Sequence, residues 1–319
     1  MVKATFFGSL LLSIGLVVAS SAQPQNSSLG QQPRSSLPVP SKSTRLVVLA
    51  DAHVPGGHMA AKRAVVSTIN TWLHVDAVVA LGDLVASRGT AAEYVAAKDY
   101  FSLFTKPVYY LTGNHDYIYS DGSDRNGGNR RASKPERTDK LNLFKNTFGT
   151  DNLYFSKRVG NVLLIFASAD SLDSKTSVTM SARQLNWLSK TLSENNNLNT
   201  IVFYHAPLYG TADYPAMSSN SWAQPANEID AILMKNPQVK AWVAGHTHIC
   251  PEDNSFISLI NSYKNQVLTI HNCDYRDRKR FWTSEFIISD EQLQVNTYDH
   301  SKRRWDPRLT RILKFRNNP

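Results

Sequence analysis

Leu111-Thr112-Gly113-Asn114-His115-Asp116 follows a short apolar run, residues 108–111, and sets an amide, an imidazole and a carboxylate directly behind a glycine. Four other stretches share this layout. Asp51-Ala52-His53 follows the apolar run 46–50, Gly82-Asp83 follows 77–81, His205 follows 200–204, and Gly245-His246-Thr247-His248 follows 239–244. Short runs rich in β-branched and apolar residues, closed by polar turns, predict strands. Open α/β sheets place their sites outside the carboxyl ends of strands. The five turns therefore predict one set of ligands gathered along one sheet edge.

The residue types suit a pair of metal ions. Two divalent ions held ~3.5–4 Å apart can stabilise both the attacking and the leaving oxygen of a phosphoryl transfer. Such a pair needs a shared carboxylate and a mixed nitrogen and oxygen set. Asp51 and His53 alternate across one residue, so both leave the same strand end. Gly82 allows the tight turn that puts Asp83 between the ions. Asn114 adds a neutral oxygen, which limits negative charge where a phosphate must enter. His246 and His248 again skip one residue, with Gly245 leaving room before them. Each element alone has an ordinary explanation: His205 as a core histidine, GHTH as a turn, Asp83 as a helix cap. Their joint occurrence predicts a metal-dependent hydrolase.

DxH, GD, GNHD, a lone His and GHxH, in that order from Asp51 to His248, resemble the calcineurin-like metallophosphoesterases. The resemblance implies an α/β fold, a four-layer α/β/β/α sandwich of two mixed β-sheets flanked by helices. It also implies two divalent or mixed-valence metal ions (Mn, Fe or Zn). One ion would take Asp51, His53, Asp83 and His248; the other would take Asp83, Asn114, His205 and His246. A hydroxide bridging the ions would be the nucleophile, its proton affinity lowered by the metals. His115 matches the family's general acid, which contacts phosphate and protonates the leaving oxygen. Purple acid phosphatases carry a tyrosine three residues after the GD aspartate, where this chain has Ala86, so an iron-tyrosinate centre is not expected. Protein Ser/Thr phosphatases carry an aspartate and arginine where Ala86-Ser87 stand, which leaves His115 without an assigned partner. The remaining pattern resembles the branch of class III cyclic-nucleotide phosphodiesterases and secreted sphingomyelinase-like enzymes, which handles monoesters and diesters of small phosphorylated substrates.

Around this motif set the 319-residue chain divides into three. Lys3, an uncharged apolar stretch over 6–19 and Ser20-Ser21-Ala22 predict a secretory signal peptide over 1–22, with Gln23 as the mature terminus. A membrane span needs about 20 apolar residues, more than this stretch offers. Export, or a cell-envelope location in a bacterium, is the expectation. Residues 23–44, rich in Ser, Pro and Gln, predict a flexible linker with a sequon at Asn26. Residues 45–319 are expected to form one domain. Cys250 and Cys273 lack zinc spacing, and an oxidising compartment favours their pairing.

A formal net charge of +9 is compatible with anionic partners. Three basic clusters carry much of it: Arg125, Arg130, Arg131, Lys134 and Arg137; Arg276, Arg278, Lys279 and Arg280; Lys302, Arg303, Arg304 and Arg308. Such runs are usually solvated surface. The first leaves from the GNHD turn itself, so it is weighed as a device that steers anionic substrate.

The coarse element reading places helices at 59–73, 91–104 (capped by Thr90), 181–192 and 226–234, with a long loop at 121–136. Strands are expected at 153–157 and 162–167, and in an antiparallel tail at 256–260, 266–270, 285–288 and 292–298. His58, His74 and His300 are read as structural or exposed, and His271 is weighed as a residue approaching the site. A degenerate member that holds metal or phosphate without turnover would have lost ligands or the GNHD histidine, and this chain keeps them all. Nucleic-acid binding would need exposed aromatics among the cations. Tyr117, Tyr119, Tyr275, Phe281 and Trp282 lie beside basic residues, which keeps nucleotide or nucleic-acid phosphodiesters among the substrates.

Overall fold

The computed structural model describes residues 43–212, 217–258, 261–263, 267–275 and 280–315. The expected signal peptide, the sequon and the linker up to residue 42 lie outside the described residues, as do Arg276, Arg278 and Lys279 of the second basic cluster. In chain order the elements are β1 (Thr44–Leu49), α1 (Met59–Asn70), β2 (Ala77–Leu81), α2 (Ala91–Phe101), β3 (Val108–Leu111), β4 (Tyr119–Ser123), β5 (Asn129–Arg131), α3 (Lys134–Phe148), β6 (Phe155–Val159) and β7 (Val162–Phe166). Then follow α4 (Ala182–Glu194), β8 (Asn199–Phe203), α5 (Ala226–Lys235), β9 (Val239–Ala244), β10 (Ser262–Tyr263), β11 (Val267–His271), β12 (Trp282–Ile288), β13 (Gln292–Asp299), β14 (Arg304–Trp305) and β15 (Arg311–Lys314).

Strands buried on both faces read as continuous apolar runs, and β1, β2, β7, β8 and β9 do so. In β1, Leu46 and Val48 enter the apolar layer between the two sheets, while Val47 and Leu49 face Val65, Val66 and Ile69 of α1. One sheet runs β14-β13-β12-β1-β2-β3, with β15 also on β13; the other runs β10-β11-β9-β8-β7-β6. Both are mixed. β1, β2 and β3 are parallel, as are β7, β8, β9 and β11, whereas β12, β6 and β10 pair antiparallel. Leu188 and Leu192 of α4 and Ile229 and Leu233 of α5 cover the second sheet. The result is the expected four-layer α/β/β/α sandwich. Among the described residues no helix is long and apolar enough to cross a membrane.

The loop expected at 121–136 is instead the β4–β5 hairpin followed by the start of α3. Ser133 caps that helix: its hydroxyl accepts from the Glu136 amide, and Glu136 accepts from the Ser133 amide. This reciprocal pair, with Pro135 in the first turn, nucleates a helix in a polar stretch. The strand expected at 256–260 is also corrected. Asn254–Phe256 is a short 3-10 turn, and β11 pairs instead with the two residues of β10. α1 stops at Asn70, where the Thr71 hydroxyl takes the Thr68 carbonyl, leaving Leu73 76% exposed. α2 ends at Phe101 and not at 104, and Thr90 caps it as expected.

Candidate metal centre

Every predicted ligand lies just past a strand: Asp51 and His53 after β1, Asp83 after β2, Asn114 after β3, His205 after β8, His246 and His248 after β9. To face one another, five of them adopt left-handed backbone: Asp51 (φ 52°), His53 (45°), Asp83 (51°), His246 (63°) and His248 (55°). Such conformations cost about 1–3 kcal/mol each and persist only where the surroundings enforce them. Here the enforcement is mutual. Asp51 Oδ2 accepts from the His246 amide at 2.9 Å, Asp83 Oδ1 from the His115 amide at 2.7 Å, and the Asp83 carbonyl from the His53 amide at 2.9 Å. The apolar layer beneath, worth about 1.5–3 kcal/mol per buried large side chain, offsets the strain. Gly82 and Gly245 act as expected. A Cβ on Gly82, itself at φ 83°, would lie 2.5 Å from His205 Nδ1, and one on Gly245 would strike Asp51 Oδ2.

The histidine rings are aimed by backbone carbonyls. His205 Nδ1 lies 2.8 Å from the Leu81 oxygen, His53 Nδ1 3.1 Å from that of Ala86, and His246 Nε2 2.7 Å from that of Asn220. A carbonyl only accepts, so each of these nitrogens carries the proton and the opposite nitrogen faces the cluster. His205 Nε2 sits 3.2 Å from Asp83 Oδ2, and His248 Nε2 sits 3.3 Å from Asp51 Oδ1. Ligand atoms converge in three overlapping groups, each within 4.8 Å: Asp51, His53 and His248; His53, Asp83 and His115; Asp83, His205 and His246. Asp83 is shared between the last two.

Whether these residues fit metal ions can be judged from buried atoms whose contacts fall short of a well-formed hydrogen bond. Asp51 Oδ1, His53 Nε2, Asn114 Oδ1 and His205 Nε2 are all buried without a hydrogen bond. An unsatisfied buried polar group costs about 1–3 kcal/mol, a cost that metal ions held by these atoms would remove. The electrostatics agree. Burial works to raise Asp83, yet His205 and His115 beside it hold its carboxyl well below the ordinary range. Burial resists charge on His205, but Asp83 and Asp51 raise its pKa to about 10. Burial, against the pull of Asp83 and Asp51, lowers His53 to about 4, and burial with His205 nearby lowers His246 to about 4. The carboxylates thus demand positive charge between them. A cation would displace the His205 proton, and neutral imidazoles already stand ready as ligands.

Several residues at the centre are given no role by the sequence reading. Asp116 is buried, and its oxygens accept four amides: Asp83 at 2.9 Å, Gly113 at 2.7 Å, Leu84 at 2.9 Å and Val85 at 3.2 Å. The last letter of GNHD therefore shapes the GD turn. Buried Lys62 donates to the carbonyls of Ala52 at 2.7 Å and His53 at 2.9 Å. Asp274 Oδ2 lies 3.8 Å from His248 Nδ1. The missing partner of His115 is the Ser87 carbonyl, 2.6 Å from Nδ1.

The remaining expectations divide between those that hold and those that change. His271 bonds the Thr211 carbonyl through Nε2 at 3.1 Å and joins none of the ligand groups. His300 is structural, 2.7 Å from Thr283 Oγ1 beneath Trp72, while His58 and His74 are exposed. Of the aromatics expected among exposed cations, Tyr117, Tyr275, Phe281 and Trp282 are core residues. Cys250 and Cys273 form a disulfide. In the first basic cluster, Arg137 is buried and donates to the carbonyls of Ala132, Ser171, Leu172 and Ser174 at 3.0–3.4 Å. Lys134 pairs with Asp173 and Arg130 with Glu136.

Comparison with known proteins agrees with this geometry. The sequence profile of the calcineurin-like phosphoesterases matches residues 44–250. The 3',5'-cyclic adenosine monophosphate phosphodiesterase CpdA of Escherichia coli K12 is 24% identical over 227 residues, 64% of this chain and 69% of the relative. Among solved structures, a dimetal phosphatase from Danio rerio superposes with TM-score 0.59 at 13% identity, covering 86% of this chain and 99% of that one. The purple acid phosphatase PPD1 of yellow lupin gives 0.55 at 15% identity, over 87% and 55% of the respective chains. At such identities the structures speak for the fold alone. The profile is more specific: its span contains every motif from Asp51 to His248, and the chain belongs to the calcineurin-like phosphoesterase family, as a metal-dependent phosphoric ester hydrolase with a binuclear centre.

Proposed function

We propose that the chain is an exported phosphodiesterase whose first metal ion is held by Asp51, His53, Asp83 and His248 and whose second is held by Asp83, Asn114, His205 and His246. The observation that carries this reading is that four buried atoms, Asp51 Oδ1, His53 Nε2, Asn114 Oδ1 and His205 Nε2, make no hydrogen bond of good geometry, with His53 Nε2 4.0 Å and His205 Nε2 3.9 Å from Asp51 Oδ1. When bound, the ions supply a Lewis-acid pair that activates water and takes up charge on the phosphoryl oxygens. The protein's own residues do the rest. His115, in the proposed role of general acid, is held at Nδ1 by the Ser87 carbonyl, so the proton to be donated sits on Nε2. After giving it to the leaving oxygen, the ring is left as the Nδ1–H tautomer that Ser87 already favours. Asp116 fixes the turns that carry Asp83 and Asn114.

A diester substrate, nucleotides included, is proposed because the neutral Asn114 limits negative charge at the centre and because the relative CpdA is named for a cyclic-nucleotide phosphodiester. Export is supported by the leader-like sequence and by the Cys250–Cys273 disulfide, which suits an oxidising compartment. The test is a panel on Mn²⁺-reconstituted protein: p-nitrophenyl phosphate, bis-p-nitrophenyl phosphate, and 2′,3′- and 3′,5′-cyclic nucleotides. Faster turnover of the diesters, lost on chelation, is expected. Preference for the monoester would reassign the substrate, and no turnover at full metal loading would leave a binding protein. Terminal sequencing of the secreted form should read from Gln23.

A further inference from the structure

His246 reaches the ligand cluster from a loop, and what aims it lies outside its own motif. Its Nε2 donates to the backbone carbonyl of Asn220, 26 residues earlier, at 2.7 Å. That bond leaves the Nδ1 lone pair for the group with Asp83 and His205. Asn220 belongs to a turn, neither strand nor helix. A carbonyl on irregular backbone can aim a ring only if the backbone is itself pinned.

The Asn220 side chain does the pinning. Its Oδ1 accepts from the Ser177 amide at 3.0 Å, the Ser177 hydroxyl at 3.2 Å and Arg131 Nη2 at 3.4 Å. Arg131, in β5, also donates through Nη1 to the Thr176 carbonyl at 3.1 Å. The Asn220 amide donates to Ser218 Oγ at 3.3 Å. Two separate segments, the hairpin strand and residues 176–177, therefore close on one amide oxygen, while the backbone oxygen of the same residue holds His246.

We propose that Asn220, clasped by Ser177 and Arg131, is a positioning residue for the second metal ion: it sets the tautomer and direction of His246. The inference rests on the reading of His246 as a ligand. Partners behind a metal-bound histidine fix its orientation, and their loss weakens metal affinity by about 10–100-fold. Nothing in the clasp touches the Asp51, His53 and His248 group directly, so the loss should fall on one ion of the two.

The experiment titrates metal-free, full-chain protein with Mn²⁺, reading affinity by calorimetry and coupling between the ions by electron paramagnetic resonance. In Asn220→Ala one site should bind as in the unaltered protein, and the other should weaken by about 10–100-fold. The spin-coupled pair should give way to an isolated ion at the same metal concentration. Asn220→Asp, which keeps the acceptor oxygen, should restore the coupled signal. Should Asn220→Ala not fold, the double variant Ser177→Ala/Arg131→Ala removes two of the three bonds to Asn220 Oδ1 and leaves the Ser177 amide, so the same readout should move in the same direction by a smaller amount. Two Mn²⁺ bound with unaltered affinity in the folded variant, or an Asn220→Asp protein as defective as Asn220→Ala, would overturn the proposal. An unaltered protein that binds fewer than two Mn²⁺ would overturn the reading of the centre, and this inference with it.

Discussion

β3 feeds two polar regions with opposite fates. In the turn that follows it, Asn114 Oδ1 is buried without a hydrogen bond, as are Asp51 Oδ1, His53 Nε2 and His205 Nε2 behind their own strands. In the flank from residue 119 to 140, polar groups are as dense but mostly satisfied. Arg137 is buried against four carbonyls, Lys140 reaches Asp121 and two carbonyls, and Arg130 and Lys134 are paired with carboxylates. A buried polar atom left without a hydrogen bond costs about 1–3 kcal/mol, more than the net contribution of a typical hydrogen bond, about 0.5–1.5 kcal/mol. The turn therefore stores a deficit that an external cation would fill, whereas the flank has spent its charge on holding the hairpin and α3 in place. Charge density alone does not separate a site from a scaffold; the state of satisfaction does.

The strongest way to break this comparison is Asp83→Ala. It removes the carboxylate shared by two ligand groups, and several kcal/mol of transition-state stabilisation at 1.36 kcal/mol per decade means a loss of about 10³-fold or more. Metal analysis should fall from two equivalents to one or fewer. Two tightly bound ions with full turnover would remove Asp83 from the centre and, with it, the reading of the orphaned atoms as ligands.

His115→Ala comes next and tests a residue of the same turn that is not assigned a metal. Both ions should stay bound. A general acid contributes about 10²–10⁴-fold where the leaving oxygen needs its proton. Alkyl phosphoesters should lose rate in that range, and p-nitrophenyl esters, whose leaving group departs as an anion, should lose much less. Equal losses would make His115 a phosphate contact only. Lost metal would make it structural, a role its place in the group with His53 and Asp83 permits.

On the other side of the comparison, Arg137→Ala should cost stability and spare chemistry. Four carbonyls lose a charged donor, so unfolding should become easier by about 1–3 kcal/mol, with metal content and kcat retained in the folded fraction. A drop in kcat/KM without a drop in Tm would show that the flank acts on substrate after all.

How far the sequence could be read follows the same line. The strands and their terminal Asp, His and Asn were legible because buried parallel strands are continuous apolar runs, and five such runs each closed by a possible ligand have no common ordinary explanation. α3 was missed because its buried face is built from Arg137 and Lys140 as well as Leu141 and Phe144, which blurs the apolar period. The Ser133–Glu136 pair was the signal that could have found it. The partners of His53, His115, His205 and His246 are backbone carbonyls of Ala86, Ser87, Leu81 and Asn220. A carbonyl is present at every residue, so nothing in the side-chain pattern marks which one will be used. Tyr117, Tyr275, Phe281 and Trp282 misled for the opposite reason: adjacency to cations in sequence says nothing of which face of the chain is buried.

The smallest effect expected belongs to the cations of the flank that the scaffold uses least. Arg125 is exposed near the hairpin tip, and Arg130 pairs with Glu136 at 3.8 Å while remaining 59% exposed. Exposed charges within a Debye length of the centre still raise the local concentration of an anionic substrate, and that length is about 30 Å at 0.01 M ionic strength but about 3 Å at 1 M. The double reversal Arg125→Glu/Arg130→Glu should therefore lower kcat/KM by about threefold at low ionic strength, through association and not through kcat, and the difference should vanish in high salt. Both residues lie outside the Asn220 clasp, so the metal content should not change. A deficit that persists at high salt would mean that one of the two touches substrate. No deficit at any ionic strength would mean that pairing and solvent have quenched the field, and the flank would then be scaffold from end to end.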